Sequence, residues 1–406
     1  MASSSFKPPS SFLELVSTSS LNYRECALLG IMALISHDTP IASPSSPGTS
    51  KSTTGNDAGA LEEYIATALH YGATESEIQN VVFQSSFSVG AARAVAVRAR
   101  VESALKSSLR GRLHHLEKEV LVGEMGGTQP GSHKTVVRDS DPQNTSVVPI
   151  VLIHALGLDR RMWDAVFASL AASGAGDKST QLRIISYDMR GHGYAANAPS
   201  AQSLDELAAD LHSILERLHI PKADVYGQSY GGAVAQYFAL NYPQSTRSLG
   251  LITTAGEAQP SWITRATRAE ESSSVMSLLP ETLIRWFTPG AIARNEWGVR
   301  YARSCVERIS VKDWGDAWRC MSQLDTLDRL QSGGVKCPVL LVCGVQDLST
   351  GPKWMTRLKE ACEKGGSGLV VYKEVDPGVH MMALEQGEAL TREILEFRQR
   401  VDSEGL

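Results

Sequence analysis

The chain has 406 residues, 42% hydrophobic and 20% charged, with a formal net charge of −5 and an isoelectric point near 6.1. That balance describes a globular protein long enough for two domains, and it carries no basic footprint for nucleic acid. The N-terminus, MASSSFKPPSSF, lacks the basic and apolar pattern of a secretory signal, and the longest early apolar run, 27–35, is too short to span a bilayer. Six cysteines without CxxC or zinc-type spacing read as buried thiols of a reducing compartment, so a cytoplasmic protein with no membrane partner is expected.

Up to about residue 115 the pattern is helical. A first helix begins in LNYREC (21–26), with Asn22 as its cap, and runs to about Ile35. Residues 36–59 are rich in Ser, Thr, Pro and Gly and are expected to form a mobile insertion. A helix over Ala60–His70 follows. Thr74 and Glu77 then have the spacing of a capping box opening a helix to about Phe87. The alanine-rich stretch from Ala91 to about Leu113 suits close helix packing, including packing between subunits.

From residue 116 strands and helices alternate, as a doubly wound sheet requires. Strands are predicted at 116–124, 147–153, 183–187, 223–226, 248–253, 338–343 and 369–372, with 126–146 read as a polar loop. Helices are predicted at 203–218, opened by Ser203 and Glu206, at 233–240 and at about 389–398. Between about 257 and 331 the alternation gives way to helical, tryptophan-rich sequence.

The chemistry concentrates in Gly227-Gln228-Ser229-Tyr230-Gly231, a G-x-S-x-G run between the strand at 223–226 and the helix at 233–240. A sharp strand-to-helix turn there strains the serine backbone and presents its hydroxyl, and a Cβ at either flanking glycine would collide with neighbouring backbone. The helix N-terminus behind it offers free N–H groups to developing negative charge. Downstream, Asp347 follows the strand 338–343, and His380 follows the strand 369–372. Ser229, Asp347 and His380 thus fall at strand carboxyl ends, in the chain order of an α/β-hydrolase triad. Glu257, after the strand 248–253, is a rival acid. Of the ten histidines, His154 and His192 also lie in glycine-containing loops near this edge, but both precede the serine. The HALG turn (154–157) is where such a fold supplies a second oxyanion donor, so Leu156 and Tyr230 are the candidate oxyanion-hole N–H groups.

The first segment resembles the carboxymuconolactone decarboxylase family through LNYREC, ALHYGATESEIQNVVFQSS (68–86) and Gly90 with the alanines after it. Tyr64 stands where that family has its active-site histidine, and Ser88 and Ala92 replace its tyrosine and proline. The CxxC pair of the peroxidase-like branch is also missing. Without a histidine or thiol, proton transfer has no evident agent there, which favours a scaffold role over a surviving decarboxylase site. The family is helical and oligomeric, so the resemblance implies a homo-oligomer. The second segment resembles 3-oxoadipate enol-lactonases through HALGLDRRMWD, YDMRGHG, GQSYGGAVAQ, WITRATRAEE…RWFTPGAIA, CPVLLVCGVQDLST and HMMALEQGEAL. It departs from them at the first position of HALG.

Together these readings imply an α/β-hydrolase fold over 116–406 with a helical cap at about 257–331, preceded by a small all-α carboxymuconolactone decarboxylase-like domain over 1–115. The resemblance implies a serine hydrolase that opens a carboxylated enol-lactone through an acyl-enzyme, without metal or organic cofactor. A bifunctional lactonase/decarboxylase, or a biosynthetic lactone or ester hydrolase, stays open, as does a non-catalytic binding protein. In the cap, Trp262, Trp286, Phe287 and Trp297 are candidate pocket walls, with ordinary cap packing the plainer role for each. Arg265, Arg268 and Arg285 are candidates to hold a substrate carboxylate, because the guanidinium fork binds it bidentately. Arg190 reads as structural in its glycine-rich loop.

Overall fold

The structure, a computed structural model, describes residues 23–36, 60–70, 73, 75–89, 91–107, 113, 116–123, 132–173, 181–196 and 198–406. The chain divides into two compact units, residues 1–112 and 113–406. Within the first lie helices α1 (Tyr23–Ser36), α2 (Ala60–His70), α3 (Glu75–Val89) and α4 (Ala91–Ser107). Their core is formed by Cys26, Ile31, Ile35, Ile65, Ile78 and Val101, each at most 1–2% exposed or fully buried. The one-turn spacing of Ala27, Ile31 and Ile35 puts them on one face of α1. The Tyr64 ring of α2 occupies the space a Cβ at Gly30 would need, so that glycine lets α1 and α2 approach closely. The Asn22 cap, the stretch 37–59, the Thr74 cap, Gly90 and residues 108–112 of the expected continuation of α4 lie outside the described residues.

The second unit is built on an eight-stranded mixed sheet of order β1-β2-β4-β3-β5-β6-β7-β8. The strands are β1 (Glu117–Val122), β2 (His133–Asp139), β3 (Ile150–Ile153), β4 (Ile184–Tyr187), β5 (Ala223–Gln228), β6 (Thr246–Ile252), β7 (Val339–Gly344) and β8 (Val370–Val375). Strands β3 to β8 are parallel; β2 runs antiparallel to both β1 and β4. Every residue of β3, β4, β5 and β7 is buried, as expected for strands covered on both faces.

Strand β2 corrects the expectation of a polar loop over 126–146. HKTVVRD conceals a strand because, apart from the exposed Lys134, its polar side chains are buried, and Thr135, Arg138 and Asp139 are partnered there. Arg138 bonds Asp164 at 2.5 Å and Glu117 at 2.7 Å, Asp139 accepts from Arg183 at 2.7 Å, and the Thr135 hydroxyl donates to the Asp188 carbonyl at 2.6 Å. Such partners make burial of charge tolerable.

Helices α5 (Asp164–Ala172), α6 (Leu204–Arg217) and α7 (Tyr230–Asn241) alternate with the central strands. The Ser203 hydroxyl accepts from the Glu206 N–H at 3.2 Å, the cap its spacing suggested. Between β6 and β7 run α8 (Pro260–Glu271), α9 (Leu279–Trp286), α10 (Pro289–Ala293), α11 (Trp297–Arg308), α12 (Val311–Met321) and α13 (Leu327–Gln331). The unit closes with α14 (Pro352–Lys364), α15 (Met382–Glu385) and α16 (Gly387–Ser403).

Candidate active site

Ser229 joins β5 to α7 with φ 56° and ψ −114°, a left-handed backbone that a non-glycine residue adopts only under constraint. The glycines explain how the turn closes. A Cβ at Gly227 would overlap the Gly231 carbonyl, and one at Gly231 would overlap the Ile153 carbonyl. At Gly232 it would meet the Thr254 side chain at 2.7 Å. The same packing brings β3 and the start of α7 together beneath the serine.

The His380 Nε2 lies 2.9 Å from Ser229 Oγ, and its Nδ1 lies 3.0 Å from Asp347 Oδ2. The other Asp347 oxygen accepts from the Ser349 N–H at 2.6 Å and the Thr350 N–H at 3.1 Å. Burial acts to raise the Asp347 carboxyl, but His380 and these two N–H groups outweigh it and hold it below the ordinary range. An ionised Asp347 assigns the Nδ1 proton to the side facing it, leaving Nε2 to accept from the serine hydroxyl. All three side chains are mostly buried, at 9% exposure or less.

Two loops must pass closely to align Asp347 with His380. A Cβ at Gly344 would stand 2.6 Å from the Gly378 backbone, and the Gln346 N–H bonds the Gly378 carbonyl at 2.8 Å. The Gln228 amide donates to the His380 carbonyl at 2.6 Å and accepts from the Ala383 N–H at 3.2 Å, and the Thr253 hydroxyl donates to the same carbonyl at 2.9 Å. Sequence reasoning missed Gln228 and Thr253 as supports. Their signal was position: each is at or just past the end of a buried strand, where a polar side chain needs a partner.

The rivals sit elsewhere. Glu257 is ion-paired with Arg357. His154 donates from Nδ1 to the Ala155 carbonyl at 2.9 Å and accepts the Met189 N–H on Nε2 at 2.9 Å, tying the HALG turn to the loop after β4. In that loop, the His192 Nδ1 lies 3.1 Å from the Arg190 carbonyl, and Arg190 holds Asp210 through bonds of 2.5 and 2.7 Å. The two imidazoles are 5.1 Å apart. Burial pushes both down to about 4, and the proximity of His154 adds to the effect on His192. Both are therefore neutral near pH 7.

Leu156 and Tyr230 border the cleft that holds Ser229 and His380. The Leu156 N–H has no hydrogen-bond acceptor among the described residues. Tyr230 opens α7, where the first N–H groups have no intrahelical partner. The opposite wall is formed by Trp262, Arg265, Arg285, Trp286 and Trp318. The space between these side chains is about 20 Å³, room for about one water molecule, so a larger molecule enters only if some of them shift.

Arg265 lies over the Trp318 ring, 4.6 Å from its centroid, and forms no ion pair among the described residues. The Arg285 Nη2 donates to the Thr282 hydroxyl at 3.2 Å, while its buried Nη1 has no partner. Burial lowers the Arg265 guanidinium to about 9, with Arg285 nearby contributing, and burial likewise lowers Arg285. Arg268 differs from the expectation. It is half exposed and spends its guanidinium on Glu281, 2.9 Å from both carboxylate oxygens, because it lies nearly a turn further along α8, within reach of α9. Nor does Trp297 border the cleft; it stacks on Tyr301 at 5.2 Å, and Phe287 is buried against Gly298. Trp318 was missed, since nothing in VKDWGDAWRC distinguishes it from Trp314 as a wall.

A serine, histidine and carboxylate hydrogen-bonded in series at the carboxyl ends of a mostly parallel sheet have the arrangement of a serine-type hydrolytic site. The alpha/beta hydrolase fold model matches residues 148–386, and the chain belongs to that family. It is 27% identical over 201 residues to 3-oxoadipate enol-lactonase 2 of Acinetobacter baylyi, spanning 49% of this chain and 71% of that protein. It is also 27% identical over 279 residues to a pimeloyl-(acyl-carrier protein) methyl ester esterase of Neisseria meningitidis, spanning 64% and 98%. The fold is shared with the enol-lactonase from Burkholderia xenovorans, with a TM-score of 0.57 at 23% identity over 66% of this chain and 96% of that one. The protein is a hydrolase. No helix among the described residues is long and apolar enough to cross a membrane.

Proposed function

We propose that the chain opens a carboxylated enol-lactone of the 3-oxoadipate type through an acyl-enzyme on Ser229. The observation that carries this reading is the pair of arginines, Arg265 and Arg285, that share the cleft with Ser229 and His380 and have no carboxylate partner among the described residues. Two half-buried, unpaired cations in a tryptophan-lined space call for an anion, and a substrate carboxylate supplies it. The likeness to enol-lactonases supports the same reading.

In the mechanism, His380 Nε2 takes the Ser229 proton as Oγ attacks the lactone carbonyl, and Asp347 stabilises the imidazolium. The N–H groups of Leu156 and Tyr230 receive the oxyanion, each donor contributing about 3 kcal/mol. Collapse breaks the ring C–O bond; the enolate leaves, takes the His380 proton and tautomerises to a ketone. Water, giving its proton to His380, then attacks the acyl group. The free acid departs as the proton returns to Ser229.

Turnover of a carboxylated enol-lactone, with the opened keto acid identified as product, and its loss in Ser229→Ala test this reading. Comparable turnover of neutral methyl esters would instead favour a biosynthetic ester hydrolase, the reading supported by the Neisseria relative matched over 98% of its length. We further infer that residues 1–112 act as a carboxymuconolactone decarboxylase-like scaffold in a homo-oligomer. Tyr64, at the position of that family's histidine, is core packing against Gly30, and Phe83, Phe87 and Val95 are exposed apolar side chains on α3 and α4. Release of carbon dioxide by Ser229→Ala would revive the bifunctional alternative, and a monomer by sedimentation would remove the oligomer. A cytoplasmic location is supported by the free thiols of Cys305, Cys320, Cys337, Cys343 and Cys362.

A further inference from the structure

The turn that carries the Leu156 N–H is held from above by the cap. The turn closes on a Leu158 N–H to Ala155 carbonyl bond of 3.2 Å, and its Gly157 has φ +77°. A Cβ at Gly157 would stand 2.9 Å from the Trp314 ring and 3.5 Å from the Trp286 ring, so both cap side chains pack directly on this backbone. One residue beyond the turn, Asp159 is clasped by Tyr301 of α11. The Tyr301 hydroxyl donates to Asp159 Oδ1 at 2.8 Å and accepts the Asp159 N–H at 3.2 Å. The ring stacks on Trp297 with an interplanar angle of 6°, which fixes the direction of the hydroxyl.

Both ends of the turn are also tied to the sheet side. His154 anchors the first end to the loop after β4 through the Met189 N–H. Beyond Asp159, the Arg160 N–H bonds Asp188 in the same loop at 2.8 Å. Between these anchors the cap reaches Asp159 through Tyr301, with Cys305 and Arg308 of the same helix 3.7 and 3.9 Å from its other carboxylate oxygen. The cleft holds little more than a water as it stands, so substrate binding must move parts of its walls, the cap among them. Displacement of α11 would carry Tyr301 away from Asp159 and remove its hold on that residue.

We propose that Tyr301 is a positioning residue: by clasping Asp159 when the cap is seated, it aligns the Leu156 N–H with the oxyanion formed at Ser229. The inference rests on the reading of Leu156 as an oxyanion donor. It makes closure of the cap over substrate and completion of the oxyanion hole one event, the logic of induced fit. Arg161 also bonds Asp159, from the same segment of chain, and so holds the aspartate without reporting where the cap is.

The test is Tyr301→Phe in the full chain, with active sites counted by fluorophosphonate labelling of Ser229. Per labelled site, kcat for p-nitrophenyl acetate should fall about tenfold with KM within about twofold, less than the 100- to 1,000-fold typical of deleting an oxyanion donor outright. The inhibition constant of phenylboronic acid, whose tetrahedral adduct places an anionic oxygen in the hole, should rise by the same factor as kcat falls. A variant with lowered melting temperature but unchanged kcat and boronate affinity per site would overturn the inference. Should Tyr301→Phe not fold, Asp159→Asn weakens the same clasp and should shift kcat and boronate affinity in the same direction; unchanged values there would equally overturn it. Failure of the wild-type chain to label at Ser229 would overturn the hydrolase reading beneath it, a different result from either variant's.

Discussion

The two walls of the cleft are built on different terms. The sheet side draws Ser229, Asp347 and His380 from loops that follow β5, β7 and β8, and their backbones are pinned by glycines and by bonds from Gln228 and Thr253. The cap side draws Trp262, Arg265, Arg285, Trp286 and Trp318 from the separate helices α8, α9 and α12, which are held together by packing and by surface ion pairs such as Arg268–Glu281. In the function proposed above, the sheet side carries out the reaction and the cap side selects the molecule that undergoes it. Substitutions on the two walls should accordingly fail in different ways.

The largest effect belongs to the sheet side. Ser229→Ala should lower kcat by at least about 10⁴-fold while leaving ligand affinity in place, measured by single-turnover kinetics and equilibrium binding of product; turnover above that level would move the nucleophile elsewhere. On the cap side, Arg265→Met and Arg285→Met should each cost about 10- to 100-fold in kcat/KM toward a carboxylated lactone, the range of a charge-assisted hydrogen bond. Toward a neutral ester of similar size each should change little. Equal losses on both substrates would make the arginines cap packing and dissolve the distinction between the walls.

A smaller effect concerns the loops beneath the cleft. His154 and His192 are buried at about 4, below the unfolded value near 6.5, so the unfolded chain binds the extra protons between those limits. Their contribution is whole above pH 6.5 and is lost as pH falls toward 4, at up to about 1.4 kcal/mol per pH unit for each ring. Urea unfolding between pH 6 and 4.5 should show His192→Asn declining about 1 kcal/mol per unit less steeply than the wild type. Identical slopes would mean that His192 is not held neutral. Smallest of all, Arg268→Ala should leave kcat/KM within about twofold, because its guanidinium is committed to Glu281 in an exposed ion pair. A tenfold loss would return Arg268 to the cleft.

Some failures of sequence reading have a shared cause. The strand 133–139 was hidden because Thr135, Arg138 and Asp139 are polar yet buried with partners that lie far away in sequence. Arg265, Arg268 and Arg285 were indistinguishable as residues, and only Glu281, within reach of one of them, separates them. Trp318 became a wall and Trp297 a packing residue through the same dependence on neighbouring helices.

By itself the sequence singled out Ser229, Asp347 and His380 and set each of them after a strand. The glycines around Ser229, the apolar strands before Asp347 and His380, and their chain order are local features that constrain local backbone, and the sheet does the rest. Only the tertiary structure decided which cap side chains face Ser229, which arginines keep their charge unpaired, and that Tyr301 reaches Asp159 across 142 residues of chain. Such facts depend on contacts between elements that no periodicity encodes, because an amphipathic helix specifies which face it buries but not what it buries that face against.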